Sequence, residues 1–214
     1  MLELGFKTLL AYLIGALLGS LIVGAMRGVD IRALGSGNAG ATNALRTQGK
    51  FFGLLVFVVD VGKGVLVMNW LPHAVFPGIG LDPAVSREWL TLACGLAVVV
   101  GHVYPVWFGF RGGKGAATVI GVAAALDARL LLPLLLCWLV VVMVTGYVGL
   151  ATMLAVVALA VAACALAPGD WPLFAFYAAL AAFIVYTHRS NIARMRAGNE
   201  HRVRRLWLFR PRQA

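Results

Sequence analysis

Long apolar stretches alternate with short polar ones along the whole chain. An α-helix rises about 1.5 Å per residue, so about 20 apolar residues cross the hydrocarbon core of a bilayer. The pattern predicts an all-α integral membrane protein, a bundle of about seven transmembrane helices. The predicted segments are residues 4–25, 52–71, 88–106, 114–128, 130–146, 148–167 and 172–187. The fourth is short and rich in small residues, which favours close helix packing.

The positions of Lys and Arg predict how the bundle crosses the membrane, because basic residues near helix ends stay on the cytoplasmic side. With the N-terminus outside, the inner connections contain most of the basic residues, including the Arg-rich tail from Arg189 to Arg212. The outer connections are then acidic on balance. We therefore expect an external N-terminus and a cytoplasmic C-terminus.

Composition agrees with a membrane protein and narrows its partners. With 62% hydrophobic and 12% charged residues, the chain is too apolar for a soluble domain of 214 residues. A net charge of +10 indicates anionic partners or a strongly basic cytoplasmic side. Nucleic acid is not expected, since the basic residues are not interleaved with aromatic ones on a soluble module. The first segment lacks a cleavage site and is interpreted as a retained helix.

The first polar stretch runs from Gly35 to Arg46. Its glycines leave backbone amides uncovered, and its side chains add neutral hydrogen-bonding groups and a forked cation. This composition is typical of a phosphate nest, although flexible surface loops also use Gly, Ser and Asn. No carboxylate lies between Arg32 and Lys50, so the loop offers no metal ligands. The candidate anion-binding residues are Ser36, Gly37, Asn38, Gly40, Thr42, Asn43 and Arg46.

The second polar stretch, residues 101–118, contains Gly112-Gly113-Lys114-Gly115. These residues are expected to open a helix, so that amides, the helix dipole and the Lys114 ammonium can converge on one anion. The stretch is not a Walker loop, because Gly115 follows Lys114 where Ser or Thr is required. Gly113 and Thr118 are further candidates. His102, near a helix end, could equally be a packing histidine.

The third polar stretch, residues 187–200, contains His188 and Asn191 at helical spacing, so both side chains can face one site. The alternative is a basic surface helix attracted to anionic lipid, which better explains the distal arginines from Arg202 to Arg212.

One charged pair lies within a predicted span. Asp60 and Lys63 are three residues apart and share a helix face, so they can neutralise each other in the membrane. We expect a structural ion pair that fixes this helix in the bundle. The alternative is that Lys63 reaches toward the polar site.

In the predicted orientation all three polar stretches lie on the cytoplasmic side. We therefore expect one membrane-embedded domain, residues 1–214, with three cytoplasmic loops at residues 35–50, 101–118 and 187–200. Together they suit substrates that each carry phosphate, and they lack the clustered carboxylates of two-metal phosphoryl transfer.

Three motifs carry a family resemblance. Ser36 to Asn43 with Arg46, Gly101 to Pro105 with Arg111 to Gly115, and His188 to Arg194 resemble the three signatures of the bacterial acyl-phosphate:glycerol-3-phosphate acyltransferases, the PlsY family. Their order and spacing match, as does the Asp60-x-x-Lys63-Gly64 element. The departures are Ala39, where the family often has Pro, Tyr104, where Phe is common, and Met195, where Leu is common.

The resemblance implies an enzyme of the bacterial inner membrane with a cytoplasmic active site. Such an enzyme transfers an acyl group from acyl phosphate to the 1-hydroxyl of glycerol 3-phosphate. The products are lysophosphatidic acid and phosphate, in the first step of phospholipid synthesis. No cofactor or metal is implied, and the implied partners are the two substrates, membrane lipid and, through functional coupling, the enzyme that makes acyl phosphate.

The resemblance also implies residue roles. The first loop would bind one phosphate, and Gly113, Lys114 and Thr118 would bind the other phosphate or a developing oxyanion. His188 and Asn191 would complete the pocket, and His102 would orient its loop. The expected catalytic residues are Ser36, Lys114, His188 and Asn191. Either His188 or a substrate phosphate would take the proton, and direct transfer is favoured over an acyl-enzyme on Ser36.

Two other functions remain open from the residues alone. A transporter for a phosphorylated solute or anionic lipid would use Asp60 and Lys63 as coupling groups. It would, however, place its site near the membrane midplane between repeated halves. A passive lipid-binding scaffold would not need three loops of glycines and cations.

Overall fold

The computed structural model describes residues 1–203 and 206–209. These residues form α-helices joined by short 3-10 turns, and they contain no β-strand, which confirms the predicted all-α class. The helices are α1 (Leu2–Gly15), α2 (Gly19–Ala25), α3 (Ala41–Gln48), α4 (Lys50–Trp70), α5 (Arg87–Val103), α6 (Ala116–Leu126), α7 (Leu131–Thr145), α8 (Val148–Leu166), α9 (Trp171–Thr187) and α10 (Arg189–Arg196).

The number of membrane-spanning elements is smaller than predicted. Among the described residues, four helical segments are long and apolar enough to cross a bilayer: Lys50–Trp70, Arg87–Phe108, Ala128–Thr145 and Val148–Leu166. The number rises to six if α1 with α2, bent by 48°, and α9 with α10, bent by 52°, each form one span. Helix α6 corresponds to the predicted fourth segment but has only 11 residues, about half the length that a span requires. The orientation of the termini stays a prediction.

The chain divides into two compact units, Met1–Leu126 and Asp127–Ala214. In the first unit, α1 packs on α5 and α4 packs on α6. Glycines bring the backbones together: a Cβ on Gly101 would collide with the Tyr12 carbonyl, and one on Gly121 with the Val61 carbonyl. The close packing expected of the small-residue segment is thus confirmed at α6.

The bend between α1 and α2 exposes backbone groups that the bilayer cannot satisfy. Lys63 on α4 donates from Nζ to the carbonyls of Gly15 (2.8 Å) and Leu17 (3.1 Å). Asp60 Oδ1 accepts from the Gly19 amide (3.2 Å). The ammonium therefore lies at the C-terminal end of one half-helix and the carboxylate at the N-terminal end of the other, as the helix dipoles favour.

The predicted ion pair is confirmed, with Lys63 Nζ 3.1 Å from Asp60 Oδ1. His102 on α5 joins the pair, and all three side chains are buried. We call Asp60, Lys63 and His102 the Asp60 cluster.

A second buried group of charges lies at the other end of α1, and we call Glu3, Lys7 and Arg87 the Glu3 cluster. Glu3 Oε1 accepts from Lys7 Nζ (2.8 Å), and Glu3 Oε2 accepts from Arg87 Nη2 (2.7 Å). Lys7 also donates to the Pro72 carbonyl (3.0 Å), and the Asp82 amide donates to Glu3 Oε2 (2.7 Å). These bonds tie the start of α1 to the connection between α4 and α5.

In the second unit, α7 packs on α8 and α8 packs on α9. The chain after α10 returns to the turn between α7 and α8, where the Val203 amide donates to the Gly146 carbonyl (2.8 Å). The Arg202 guanidinium lies between the rings of Tyr147 and Trp207. Of the distal arginines predicted to lie at the lipid surface, Arg204, Arg205, Arg210 and Arg212 fall outside the described residues.

Candidate active site

The first polar stretch, Gly35 to Arg46, is called loop 1; it consists of a tight turn followed by the first part of α3. Gly35 and Gly37 have φ values of 57° and 73°, which glycine adopts without the strain imposed by a side chain. Gly40 caps α3 without a side-chain hydrogen bond, so the first amides of this helix receive no capping side chain. Such an arrangement can receive an anion.

Asn43 holds loop 1 together from the inside. Its side chain is buried, its Oδ1 accepts from the Ser36 amide (3.0 Å), and its Nδ2 donates to the carbonyls of Ile31 and Leu34, each at 3.0 Å. The side-chain amide group of Asn43 is therefore occupied by hydrogen bonds to the backbone of residues 31–36. Ser36, Gly37, Thr42 and Arg46 are exposed, and Asn38 and Gly40 are half-buried.

The second polar stretch forms loop 2, residues Gly112 to Gly115, directly before α6, as predicted. The Gly112 amide donates to the Val103 carbonyl and the Gly113 amide to the His102 carbonyl, both at 3.1 Å, so loop 2 folds back on the end of α5. A Cβ on Gly113 would collide with the His102 ring, and only glycine permits this approach. Lys114 is half-buried.

The His102 ring lies between loop 2 and the other two members of the Asp60 cluster, Asp60 and Lys63. Its Nδ1 is 2.9 Å from Lys63 Nζ and 3.4 Å from Asp60 Oδ1, and its Nε2 is the ring atom nearest to the position of a Cβ on Gly113. Thr118 on α6 is fully buried, and its hydroxyl has no hydrogen-bond partner within residues 1–203 and 206–209.

Arg32, which precedes loop 1, is hydrogen-bonded to the segment that precedes loop 2, a role that could not be predicted from the sequence. Its Nη1 donates to the carbonyls of Phe108 (3.1 Å) and Arg111 (3.2 Å), which precede loop 2. Its Nη2 donates to Asp30 Oδ2 (2.8 Å), and this guanidinium holds the pKa of the Asp30 carboxyl below its usual range. The short spacing of Asp30 and Arg32 was the only signal in the sequence, whereas the contacts with Phe108 and Arg111 join distant parts of the chain.

His188 lies in the second unit, where it caps α10 after the bend that follows α9. Its side chain is buried, and its Nδ1 lies 2.8 Å from the Ile184 carbonyl. A carbonyl can only accept, so Nδ1 carries a proton, and in the neutral ring Nε2 is left as an acceptor. His188 therefore has the tautomer that a general base requires.

Asn191, three residues further on, is oriented by an acid to which the sequence analysis gave no role. Asn191 Nδ2 donates to Glu200 Oε1 (2.7 Å), and Arg194 Nε donates to Glu200 Oε2 (2.6 Å). Gly149 on α8 lies against the Asn191 side chain, where a Cβ would come within 2.8 Å of Nδ2. Glu200 thus fixes the end of α10 and the Asn191 amide together.

The predicted site residues fall into two groups according to the structural unit in which they lie. Loop 1 and loop 2 belong to the first unit, where Arg32 links the segments that precede them, whereas His188 and Asn191 belong to the second unit. Bent helices, buried charges that satisfy a helix break, and glycine-rich loops with cations define an all-helical integral membrane protein whose polar chemistry lies at helix ends.

Comparison with known proteins identifies the family. Residues 6–198 match the model of the glycerol-3-phosphate acyltransferases. The chain belongs to the glycerol-3-phosphate acyltransferase family, which confirms the resemblance inferred from the three motifs.

Individual relatives match over nearly the whole chain. The glycerol-3-phosphate acyltransferase of Thermosynechococcus vestitus is 41% identical over 204 residues, covering 94% of this chain and 95% of the relative. That of Aquifex aeolicus is 38% identical over 200 residues, covering 92% and 97%.

The fold also matches solved structures of PlsY, an integral membrane glycerol 3-phosphate acyltransferase. Its glycerol 3-phosphate form superposes with a TM-score of 0.80 at 38% identity, covering 93% of this chain and 94% of that one. Its lysophosphatidic acid form gives a TM-score of 0.77 at 37% identity, with the same coverage.

Proposed function

We propose that this protein transfers an acyl group from an acyl phosphate to the 1-hydroxyl of glycerol 3-phosphate, giving lysophosphatidic acid and inorganic phosphate. Membership of the family supports the acceptor and the reaction class. One observation carries the acyl phosphate donor: Arg32 links the segments that lead into two glycine-rich loops, each with a cation and neither with a carboxylate. Two such loops suit two substrates that each carry phosphate.

Loop 1 is proposed to bind one phosphate through Ser36, Asn38, Thr42, Arg46 and the amides around Gly37 and Gly40. Asn43 contributes by holding the Ser36 amide in place, since its own side chain is occupied within the loop. Loop 2 is proposed to bind the other phosphate or the developing oxyanion through Lys114. Gly113, predicted as a further ligand, has its amide bound to the His102 carbonyl, so its contribution is the close packing of loop 2 on the His102 ring. Thr118, which follows loop 2 on α6, is retained as a binding residue on the resemblance, and His102 as the residue that orients the loop.

The reaction is proposed to be direct. The oxygen of the 1-hydroxyl forms a bond to the acyl carbon, and the bond from that carbon to the phosphate oxygen breaks. The released phosphate keeps the electron pair of that bond. The hydroxyl proton goes to a substrate phosphate or to Nε2 of His188, which the Ile184 carbonyl leaves free of its own proton. Ser36, Lys114, His188 and Asn191 are the proposed catalytic residues.

The proposed location is the bacterial inner membrane, with the N-terminus outside and the three loops facing the cytoplasm. The excess of Lys and Arg in the loops on that side supports this orientation. The acyl chain of the donor would lie among the apolar helices, and the proposed functional partner is the enzyme that makes acyl phosphate.

The test is release of inorganic phosphate by the purified protein in detergent, without added metal. Palmitoyl phosphate and glycerol 3-phosphate are supplied together and then each is omitted. In a further reaction palmitoyl-CoA replaces palmitoyl phosphate, and there the released CoA thiol is measured, because transfer from this donor liberates no phosphate. Release that needs both palmitoyl phosphate and glycerol 3-phosphate is expected. Activity with palmitoyl-CoA alone as donor would contradict the proposed donor, and release from palmitoyl phosphate alone would indicate a hydrolase or an acyl-enzyme.

The transporter alternative receives no support from the arrangement of Asp60 and Lys63. Lys63 Nζ and Asp60 Oδ1 both bond to the break between α1 and α2, where they satisfy two backbone carbonyls and an amide. A protein that turns over both substrates in detergent, where no gradient exists, would exclude transport as the primary function.

A further inference from the structure

Within the Asp60 cluster, the two charged groups of Lys63 and Asp60 both contact one nitrogen of the His102 ring, Nδ1. The Lys63 ammonium has no lone pair and can only donate. Its contact with His102 Nδ1, at 2.9 Å, is shorter than the 3.4 Å between Nδ1 and Asp60 Oδ1. Nδ1 is therefore the acceptor, and the ring proton lies on Nε2.

The same ring meets loop 2 through its opposite nitrogen. Nε2 is the atom that a Cβ on Gly113 would strike first, and the Gly113 amide is bound to the carbonyl of His102 itself. The edge of the ring that faces Gly113 thus presents a hydrogen in this tautomer and would present a lone pair in the other. For a loop that receives a phosphate, a hydrogen there attracts the anion and a lone pair repels it.

Lys63 is also held in place by contacts other than the one with His102. Three of its contacts, with the Gly15 and Leu17 carbonyls and with Asp60, fix the ammonium at the break in the first helix pair. Its position on α4 therefore couples the α1–α2 break to the orientation of a ring on α5. No element of loop 2 takes part in these contacts.

We propose that Lys63 and Asp60 are positioning residues of the acyltransferase site. Lys63 donates to Nδ1 of His102 and so holds the ring as the Nε2–H tautomer, which supports loop 2 and offers its N–H toward the phosphate of that loop. Asp60 holds Lys63 and does not share the His102 proton. The effect on catalysis rests on the proposed function, whereas the tautomer does not.

The tautomer is tested directly by NMR of the protein labelled with 15N and 13C in its histidines, without substrate. The chain has four histidines, and the His102 signals are assigned by their loss in His102→Gln. We expect His102 to be protonated on Nε2 in the wild-type protein and in Asp60→Asn. In Lys63→Met, Nδ1 loses its donor and we expect the proton to move to Nδ1 and bind Asp60.

A wild-type spectrum that shows His102 protonated on Nδ1 would overturn the proposal without any variant. If Lys63→Met does not fold, Asp60→Asn keeps the proposal falsifiable, because a switch to Nδ1–H in that variant would assign tautomer control to Asp60 instead. The NMR result is independent of the activity, so it distinguishes failure of this proposal from failure of the proposed function.

Kinetics tests the consequence for the site. Lys63→Met is expected to lower kcat/KM by about tenfold or more, since small misplacements of positioned groups cost up to about 100-fold. Gln at position 102 can retain a donor near Nε2 and lacks the Nδ1 acceptor, so Lys63→Met is expected to cost less than about threefold in the His102→Gln background. Equal losses in both backgrounds would overturn the coupling through His102.

The Glu3 cluster supplies the matched control. Lys7 is also a buried lysine that donates to a carboxylate and to a backbone carbonyl, but it contacts neither His102 nor loop 2. Lys7→Met is expected to leave the His102 tautomer and the kinetic constants of the folded protein unchanged. A tautomer switch in Lys7→Met would show that any buried lysine loss disturbs His102, and would overturn the specific role of Lys63.

Discussion

The Glu3 cluster and the Asp60 cluster lie at opposite ends of helix α1. Both contain a buried lysine–carboxylate pair, but the two pairs hold different parts of the molecule. In each, a buried lysine forms an ion pair with a carboxylate and donates to at least one backbone carbonyl. The Glu3 cluster adds an arginine and ties α1 to a connection between helices. The Asp60 cluster adds a histidine that lies against loop 2. The difference between the two clusters lies in the third residue: Arg87 contacts a connection between helices, whereas His102 contacts loop 2.

This comparison predicts that substitutions around loop 1 and loop 2 reduce activity, whereas substitutions in the Glu3 cluster reduce stability. Lys114→Ala should give the largest effect, because it removes a cation expected at a phosphate or an oxyanion. We expect kcat/KM to fall by about 100-fold to 1,000-fold, with an unchanged thermal unfolding midpoint in detergent. Phosphate release by Lys7→Met provides the comparison, and equal losses of activity in the two variants would break the distinction.

Asn43→Ala sharpens the comparison by removing support for loop 1 without removing a proposed ligand. The Ser36 amide and two carbonyls lose their side-chain partner, so loop 1 should lose its fixed shape. We expect a fall in kcat/KM of about tenfold to 100-fold. Asn69 is exposed near the end of α4, so Asn69→Ala is the matched control and should behave as the wild-type protein. An Asn43→Ala protein with normal activity would remove this residue from the site.

Glu3→Gln tests the stability side of the comparison. The substitution leaves Lys7 and Arg87 without a carboxylate at a buried position, so the free energy of unfolding should fall by about 1–3 kcal/mol. The kinetic constants of the folded fraction should not change. Denaturant unfolding followed by tryptophan fluorescence, with phosphate release on the same preparation, measures both quantities.

Asp30→Asn should give the smallest effect. Arg32 lowers the pKa of Asp30 in the folded protein, so the pair contributes stability above the pKa of the unfolded carboxyl, about 3.9. That contribution is lost as the pH falls through the lower, folded-state pKa. Because Asp30 is about half exposed, the contribution at neutral pH should be below about 1 kcal/mol. Unfolding midpoints of the wild type and Asp30→Asn should differ at pH 6 and converge as the pH falls through the folded-state pKa of Asp30; a constant difference would contradict the ionic origin.

Most of the long helices could be predicted from the sequence, because an apolar segment of about 20 residues is long enough to cross a bilayer as a helix. The break between Gly15 and Gly19 could not, since the residues between them are apolar and a hydropathy window averages across them. The pairing of Asp60 with Lys63 was predictable from their spacing on one helix. Their use at the break of another helix was not, because that contact joins segments far apart in the chain.

The residue types of the candidate site could be predicted from the sequence, but the directions in which their side chains point could not. Glycines, hydroxyls and cations in loop 1 indicated an anion site, yet Asn43 turns inward to support the loop. Arg32 and Glu200 were missed because each acts through partners that sequence spacing alone does not bring together. Side-chain direction depends on packing, and packing is a property of the folded unit.

The break between α1 and α2 has a consequence for how the protein is made. The N-terminal end of the chain leaves the ribosome first, so α1 and α2 reach the bilayer before α4. Until α4 arrives, the Gly15 and Leu17 carbonyls and the Gly19 amide have neither Lys63 nor Asp60 as a partner. Insertion of α4 therefore supplies the partners that the backbone of the first helix pair lacks until then.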